Sequence, residues 1–93
     1  MRKYEAVIIL RPGSEDVAAG REFLRTLFSG DGCKTLKEEQ TGDRELAYEI
    51  KKSKRGYYLT YELEAEPRHI QAFDKTLKLR NEVMKFLFVR SQE

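Results

Sequence analysis

The residue types that most often carry out catalysis are scarce in this sequence. Cys33 and His69 are its one cysteine and its one histidine. Nucleophilic catalysis would require the two side chains to be adjacent, with a third group to orient the histidine. The pattern instead favours a small buried cysteine and a surface histidine. One residue of each type also excludes an intramolecular disulfide and leaves too few ligands for a metal site.

A second candidate site is the Arg-Pro-Gly-Ser segment at residues 11–14, which leads into a predicted helix. A helix N-terminus attracts anions, so an acylphosphatase-like hydrolase could hold a phosphate group here. Glu15 and Asp16 lie in the same first turn, however, and their charges would repel an anion. The segment also lacks a glycine-rich cradle with an arginine at the mouth of the helix. We therefore predict no catalytic residue, no small-molecule substrate and no cofactor.

Lysine and arginine are a third candidate group, because they bind the phosphates of nucleic acids. The sequence has 18 of them against 16 Asp and Glu, and its net charge is only +2. So small an excess is weak support for nucleic-acid binding, and any RNA contact must depend on where the charges lie. A run of such residues, taken alone, more often marks a solvated face that protects a sheet edge.

The strands and helices that must position these residues follow a clear order. Residues 4–10 form a nearly continuous apolar run, which is typical of a strand buried on both faces. Strict alternation predicts strands over residues 46–50 and 57–64, and the polar residues 52–56 between them predict a hairpin. Gly42 marks a predicted bulge or bend, and residues 83–89 form a last strand.

Two amphipathic helices separate these strands. The first begins after a predicted N-cap at Ser14, and its apolar residues recur at spacings of three and four. Pro67 suits the first turn of the second helix. The predicted apolar residues of the two helices are Val17, Gly20, Leu24, Leu27 and Phe28, and Ile70, Phe73 and Leu77.

Right-handed crossovers fold this order of elements into an α+β, ferredoxin-like βαββαβ sandwich. It has a four-stranded antiparallel sheet with two helices on one face, and we predict a single domain over residues 1–93. The other sheet face is then free to meet a partner. No apolar run approaches the roughly 18 residues of a membrane helix, and the N-terminus begins a strand and not a signal peptide. We therefore predict a cytoplasmic protein with no membrane partner.

Three stretches of the sequence resemble the bacterial small-subunit ribosomal protein S6 family. They are residues 1–5; residues 42–52, which read GDRELAYEIKK and precede Gly56-Tyr57-Tyr58; and residues 77–83, which read LKLRNEV and run into the last strand. They occur in the family's order and at its approximate spacing, so the resemblance covers nearly the whole chain. The sequence departs from the family at Glu45, where a basic residue is usual, and at Glu49, where a proline is frequent.

This resemblance implies a structural component of the small ribosomal subunit with no catalytic role. Such a protein binds the central domain of the small-subunit ribosomal RNA as a heterodimer with ribosomal protein S18. RNA of this kind is bound largely through its shape, phosphates and 2′-hydroxyls, so we expect contacts to the RNA backbone more than to bases. The alternative is a ferredoxin-like regulatory or adaptor module that self-associates through its sheet.

Two groups of basic residues suit a role in RNA binding. The first, the terminal group, lies on or near the first and last strands, which pair in this fold. The second, the hairpin group, lies near the tip of the predicted hairpin and could reach the RNA backbone. The terminal group is Arg2, Lys3, Arg80, Lys85 and Arg90, and the hairpin group is Lys51, Lys52, Lys54 and Arg55.

A protein partner is expected on the free sheet face and the second strand. The predicted partner-binding residues are Val7, Tyr48 and Tyr58, which alternate out of the core register or lie where both faces are apolar. By spacing alone, Leu46, Tyr48 and Ile50 fit a buried strand face better than an interface. The remaining strand aromatics are expected to pack under the helices. They are Tyr57, Tyr61, Phe86 and Phe88.

Overall fold

A computed structural model describes residues 2–30 and 32–91 of the chain. Its elements, in chain order, are β1 Arg2–Leu10, α1 Ser14–Phe28, β2 Cys33–Ile50, β3 Ser53–Ala65, α2 Pro67–Leu77 and β4 Val83–Arg90. The strands form one sheet in the order β2-β3-β1-β4, and every neighbouring pair is antiparallel. The predicted ferredoxin-like α+β sandwich is confirmed.

Strand β1 is central in the sheet, as its apolar run predicts. Ala6, Ile8 and Leu10 point towards the helices and are fully buried. Val7 and Ile9 alternate with them and lie on the opposite side, which we call the open face. Ile9 is only 8% exposed there. Both faces of β1 are therefore largely covered, although the helices cover only one of them.

The core lies between the helices and the sheet. Phe28 of α1 contacts Tyr61 of β3 edge-on, with 5.1 Å between ring centroids, and Phe73 of α2 at 5.2 Å. Leu24 and Leu77 are buried in the same cluster. The expectation that strand aromatics pack under the helices is confirmed: Tyr61 is buried, and the partly buried aromatics at the cluster are Tyr57, Phe86 and Phe88.

The start of α1 differs from the prediction by one residue. The N-cap is Gly13, which is extended, and Ser14 is the first helical residue with no capping side-chain hydrogen bond. The reason is that the amide of Val17 donates to the carbonyl of Gly13 at 2.8 Å, so the helix begins one residue earlier. Further along, Gly20 allows α1 to lie close to β1, because a Cβ there would come within 2.6 Å of Leu10 Cδ1.

The β2–β3 hairpin is longer and turns more tightly than predicted. Strand β2 has 18 residues and β3 begins at Ser53, so the predicted connection over residues 52–56 is wrong. The turn is Lys51-Lys52, with φ values of 49° and 65°. Two successive residues with positive φ match the right-handed twist of the flanking strands and so permit a two-residue turn. Gly42 has φ 95° beside a register shift, which confirms the predicted bulge.

Candidate partner and nucleic-acid interfaces

An apolar groove lies on the open face of the sheet, with a volume of about 260 Å³. Strands β1, β3 and β4 form its floor, and the last residues of β2 form its wall. The apolar side chains that line it include Val7, Ile9, Leu46, Tyr48, Tyr58 and Leu87. The three predicted partner-binding residues, which are far apart in sequence, therefore meet at one groove.

The tip of the hairpin builds this wall by reaching across the sheet. The last β1–β3 pair is Leu10 with Tyr57, so the hairpin extends beyond the end of β1. Gly56 lets it pass close to β1, because a Cβ at that position would collide with Cγ2 of Ile9. The ammonium of Lys51 then donates a hydrogen bond to the carbonyl oxygen of Val83 at 3.1 Å. This bond ties the tip to the beginning of β4.

The prediction that Leu46, Tyr48 and Ile50 form a buried strand face is wrong. Tyr48 is 67% exposed, and Leu46 and Ile50 are half-buried. The physical reason is that the pairing of β2 with β3 shifts register between Glu45 and Ile50, so the residues between them leave the regular ladder. The apolar side chains of this part of β2 turn towards the open face and leave the groove accessible.

The terminal basic group is divided between the two ends of the sheet. Tyr4 pairs with Arg90, and the amide of Ser91 donates to the carbonyl of Lys3 at 2.9 Å. Arg2, Lys3 and Arg90 are therefore neighbours, as predicted, and all three are exposed. We call these three residues the strand-end trio.

Arg80 and Lys85 lie at the opposite end. Lys85 pairs with Ile9, because the beginning of β4 must lie next to the end of β1 in an antiparallel pair. Arg80 precedes that strand; its guanidinium lies 4.3 Å from the centre of the Phe23 ring and pairs with Glu82. Placing these two residues with the strand-end trio was therefore wrong. Lys85 instead lines the groove together with the tip of the hairpin.

The hairpin group is only partly available for an RNA contact. The ammonium of Lys51 is hydrogen-bonded to Val83, and the guanidinium of Arg55 pairs with Asp43 at 2.9 Å. Lys52 and Lys54 are exposed on either side of the turn. These two lysines are the members of the group that remain free of such a contact within residues 2–30 and 32–91.

The candidate catalytic residues have geometry that suits a structural role. Cys33 is half-buried against the core, and burial raises the pKa of its thiol. An activated nucleophile needs the opposite shift, because the thiolate is the reactive form. His69 is half-buried and not at the surface as expected, since its ring packs against Gly32. Arg11 donates from Nε to the carbonyl of Asn81 at 2.9 Å, which joins two loops.

Metal sites and membrane-spanning helices are two further features that bear on function. No cluster of three or more His, Cys, Asp and Glu side chains there is arranged to hold a metal ion. In the same part of the chain, no helix has the length and apolar character needed to cross a bilayer.

Comparison with known sequences gives matches along almost the whole chain. Residues 3–90 match the family described as ribosomal protein S6. A relative from Treponema denticola, named small ribosomal subunit protein bS6, is 37% identical over 94 residues and covers 100% of both chains. A relative of the same name from Moorella thermoacetica is 32% identical over 95 residues, which cover 100% of this chain and 97% of the relative.

Comparison with solved structures supports the fold. The crystal structure of 30S ribosomal protein S6 from Thermotoga maritima superposes with a TM-score of 0.87 at 24% identity, covering 97% of this chain and 87% of that one. The C-terminal domain of the MgtC protein from Mycobacterium tuberculosis superposes with a TM-score of 0.69 at 16% identity, covering 100% of this chain and 90% of that one. At these identities the likeness concerns the fold, which unrelated functions share.

Proposed function

The chain belongs to the ribosomal protein S6 family, and on that premise we propose that it binds the central domain of small-subunit ribosomal RNA together with ribosomal protein S18. The observation that carries the proposal is the family match over residues 3–90. Membership makes the chain a ribosomal protein of the small subunit, at work on the cytoplasmic ribosome. It also confirms the prediction that the protein is not an enzyme, because the relatives are structural ribosomal proteins.

For the RNA contact, we favour the strand-end trio first. Arg2, Lys3 and Arg90 are three exposed cations on neighbouring strand ends, with Arg2 and Arg90 on the helix side of the sheet and Lys3 on the open face, and each can contact a phosphate. The exposed Lys52 and Lys54 of the hairpin form a second candidate contact. Arg55, Lys51 and Arg80 bind Asp43, Val83 and Glu82 within the chain. All of these proposed contacts are with the RNA backbone, and none of them requires the recognition of particular bases.

For the protein contact, we favour the groove on the open face. Tyr48 and Leu87 expose 67% and 42% of their surface, and Val7 and Tyr58 lie between them on the sheet. Contiguous exposed apolar surface is unusual unless a partner covers it. Ribosomal protein S18 is the partner that the family resemblance implies. The same groove would serve the alternative, a module that self-associates through its sheet.

A binding titration distinguishes these two functions. The purified chain is titrated with a central-domain fragment of small-subunit ribosomal RNA, alone and with S18, at two salt concentrations. An unrelated RNA of equal length serves as the control. We expect specific, salt-sensitive binding that is much stronger when S18 is present. A folded chain that self-associates and binds neither RNA nor S18 would favour the adaptor function instead.

A further inference from the structure

Two carboxylates face each other on the open face of the sheet. Glu5 of β1 and Glu62 of β3 are directly opposite in the antiparallel register, and both are exposed. Like charges in this position destabilise a sheet. Within the described residues, neither carboxylate takes part in an ion pair or a hydrogen bond. Folding of the isolated chain therefore gains nothing from the pair.

The lysine that lies opposite Glu62 on β2 binds a different carboxylate. Lys37 of β2 lies opposite Glu62, but its ammonium binds Glu39 at 3.2 Å. These four side chains and Thr60 surround a shallow depression of about 60 Å³. The depression is therefore rimmed by three carboxylates and one lysine that is already paired.

The carboxylate pair lies directly beside the apolar groove. Val7, which lines the groove, is two residues from Glu5 on β1 and pairs with Leu87 on β4. Two residues along a strand span about 7 Å. The open face therefore offers an apolar site and an anionic site side by side, at a spacing that neighbouring side chains of one partner segment can match.

We propose that the open face binds a basic, amphipathic segment of the protein partner. One apolar side chain of that segment enters the groove, and a lysine or arginine binds between Glu5 and Glu62. This inference rests on the proposed function and adds the chemistry by which the partner is selected. An ammonium or guanidinium at this position would remove the repulsion that the isolated chain carries.

The charges on the open face disfavour two other possible occupants, RNA and a second copy of the chain. Phosphates of RNA would be repelled by Glu5 and Glu62, which no ion pair neutralises within the described residues, so RNA is expected away from this carboxylate pair. A second copy of the chain, placed by a two-fold axis through the carboxylates, would bring the same negative charges together. A basic protein segment is the occupant whose charge complements this face.

The test uses two variants of equal charge change. Glu5→Gln/Glu62→Gln removes the facing pair, and Glu15→Gln/Glu22→Gln removes two exposed carboxylates from α1. For each variant and the wild type, we measure the melting temperature, the affinity for S18 at two salt concentrations, and the RNA affinity without S18. Glu5→Gln/Glu62→Gln should melt at or above the wild-type temperature. It should bind S18 at least about tenfold more weakly, with a flatter salt dependence, because charge-assisted hydrogen bonds are lost.

The outcomes separate this inference from the function on which it rests. If the wild type binds S18 and both variants bind equally well, the inference is wrong and the proposed function stands. If the wild type itself fails to bind S18, the proposed function is wrong as well. If Glu5→Gln/Glu62→Gln gains RNA affinity more than Glu15→Gln/Glu22→Gln does, the open face is an RNA surface, which also overturns the inference.

Discussion

The two faces of the sheet use alternate residues of the same strands, yet they differ in how completely the chain covers them. On the helix side, Ile8 and Leu59 pair across β1 and β3, and both are 0% exposed. On the open face, Val7 and Tyr58 of the same strands remain half-exposed beside the groove. Strand alternation is the same on both sides, so the difference comes from the helices. Stability and the proposed partner binding therefore depend on neighbouring residues, and substitutions can test the two separately.

The charged side chains are also distributed differently between the helix side and the open face. Within residues 2–30 and 32–91, no charged side chain is fully buried on the helix side, and the hydroxyl of the buried Tyr61 is hydrogen-bonded to Glu38. The open face instead keeps Glu5 and Glu62 opposite each other, at some loss of stability. The helix side is thus arranged for folding alone. The open face keeps an exposed apolar groove and a facing carboxylate pair, which are the features on which the proposed partner binding rests.

The largest effect is expected from Leu59→Ala on the helix side. The substitution should lower the free energy of unfolding by about 2–5 kcal/mol, because it leaves a cavity in a fully buried site. Val7→Ala, its neighbour on the open face, should cost about 1 kcal/mol, because that side chain is half-buried. Urea unfolding measures both. Equal losses would mean that the open face belongs to the folding core, and the contrast between the faces would fail.

A smaller effect is expected from Tyr61→Phe, also on the helix side. The hydroxyl of Tyr61 donates to Glu38 at 3.2 Å, so its loss should cost about 1 kcal/mol at neutral pH. Burial raises the pKa of Tyr61 above its ordinary value, and the nearby Glu38 raises it further. The folded state therefore holds the proton more tightly than the unfolded state. The resulting stability is fully present below about pH 10 and is lost as the pH rises beyond it.

The pH dependence gives this prediction a control on the open face. Unfolding free energies of the wild type, Tyr61→Phe and Tyr48→Phe are compared between neutral pH and about pH 11, above the ordinary tyrosine pKa. Tyr61→Phe should lose less stability over this range than the wild type. Tyr48→Phe, which removes an exposed hydroxyl, should follow the wild type. If Tyr61→Phe and Tyr48→Phe lose the same amount of stability between these pH values, ionisation of Tyr61 is not the cause of the loss at high pH.

On the open face, Tyr48→Ala should separate binding from stability. Tyr48 is 67% exposed, so the free energy of unfolding should change by no more than about 0.5 kcal/mol. Affinity for S18 should nevertheless fall at least about tenfold, since aromatic anchors dominate interface energies. Calorimetric titration with S18 measures the affinity. A variant that binds normally would remove Tyr48 from the proposed interface and leave the rest of the groove to be tested.

The burial of strand residues on the helix side was predicted well from the spacing of apolar residues in the sequence. The apolar run of β1 predicts burial on both faces, and Ile8 and Ile9 are both buried. The alternation of β3 predicts one buried face, and Leu59 and Leu63 are buried accordingly. The exposure of Tyr48 was not predictable in this way. Alternation assigns a residue to a face but does not say whether another element covers that face. The turn at Lys51-Lys52 also lacks the asparagine or glycine that usually signals positive φ values.

The positions of the site residues were predicted less well, although one of the errors could have been avoided from the sequence alone. Val7, Tyr48 and Tyr58 meet at one groove, and Arg90 lies beside Lys3 as expected. Antiparallel pairing alone requires the beginning of β4 to lie at the far end of β1. It therefore separates Lys85 from Arg2, and the predicted grouping overlooked that consequence. The ion pairs of Arg55 and Arg80 depend on side-chain positions, which residue spacing does not determine.

The smallest effect on stability, and the clearest effect on RNA, is expected from replacing the strand-end trio by alanine. Arg2, Lys3 and Arg90 are exposed at the ends of paired strands, outside both the core and the groove. Exposed ionic contacts contribute at most about 1 kcal/mol, so the melting temperature should hardly move. The logarithmic slope of RNA affinity against salt concentration should fall by about 0.7 to 0.9 for each phosphate contact that is lost.

The control for this variant removes three positive charges from α2 and the residue that follows it. These residues are Arg68, Lys75 and Lys78. RNA titrations over a range of salt concentrations, with S18 present throughout, compare the two triple variants. If the trio binds phosphates, its variant alone should show the flatter slope. If both slopes fall equally, the effect is one of net charge, and no RNA site can be assigned to the ends of β1 and β4. A large drop in melting temperature for the trio variant would mean that these side chains support the fold.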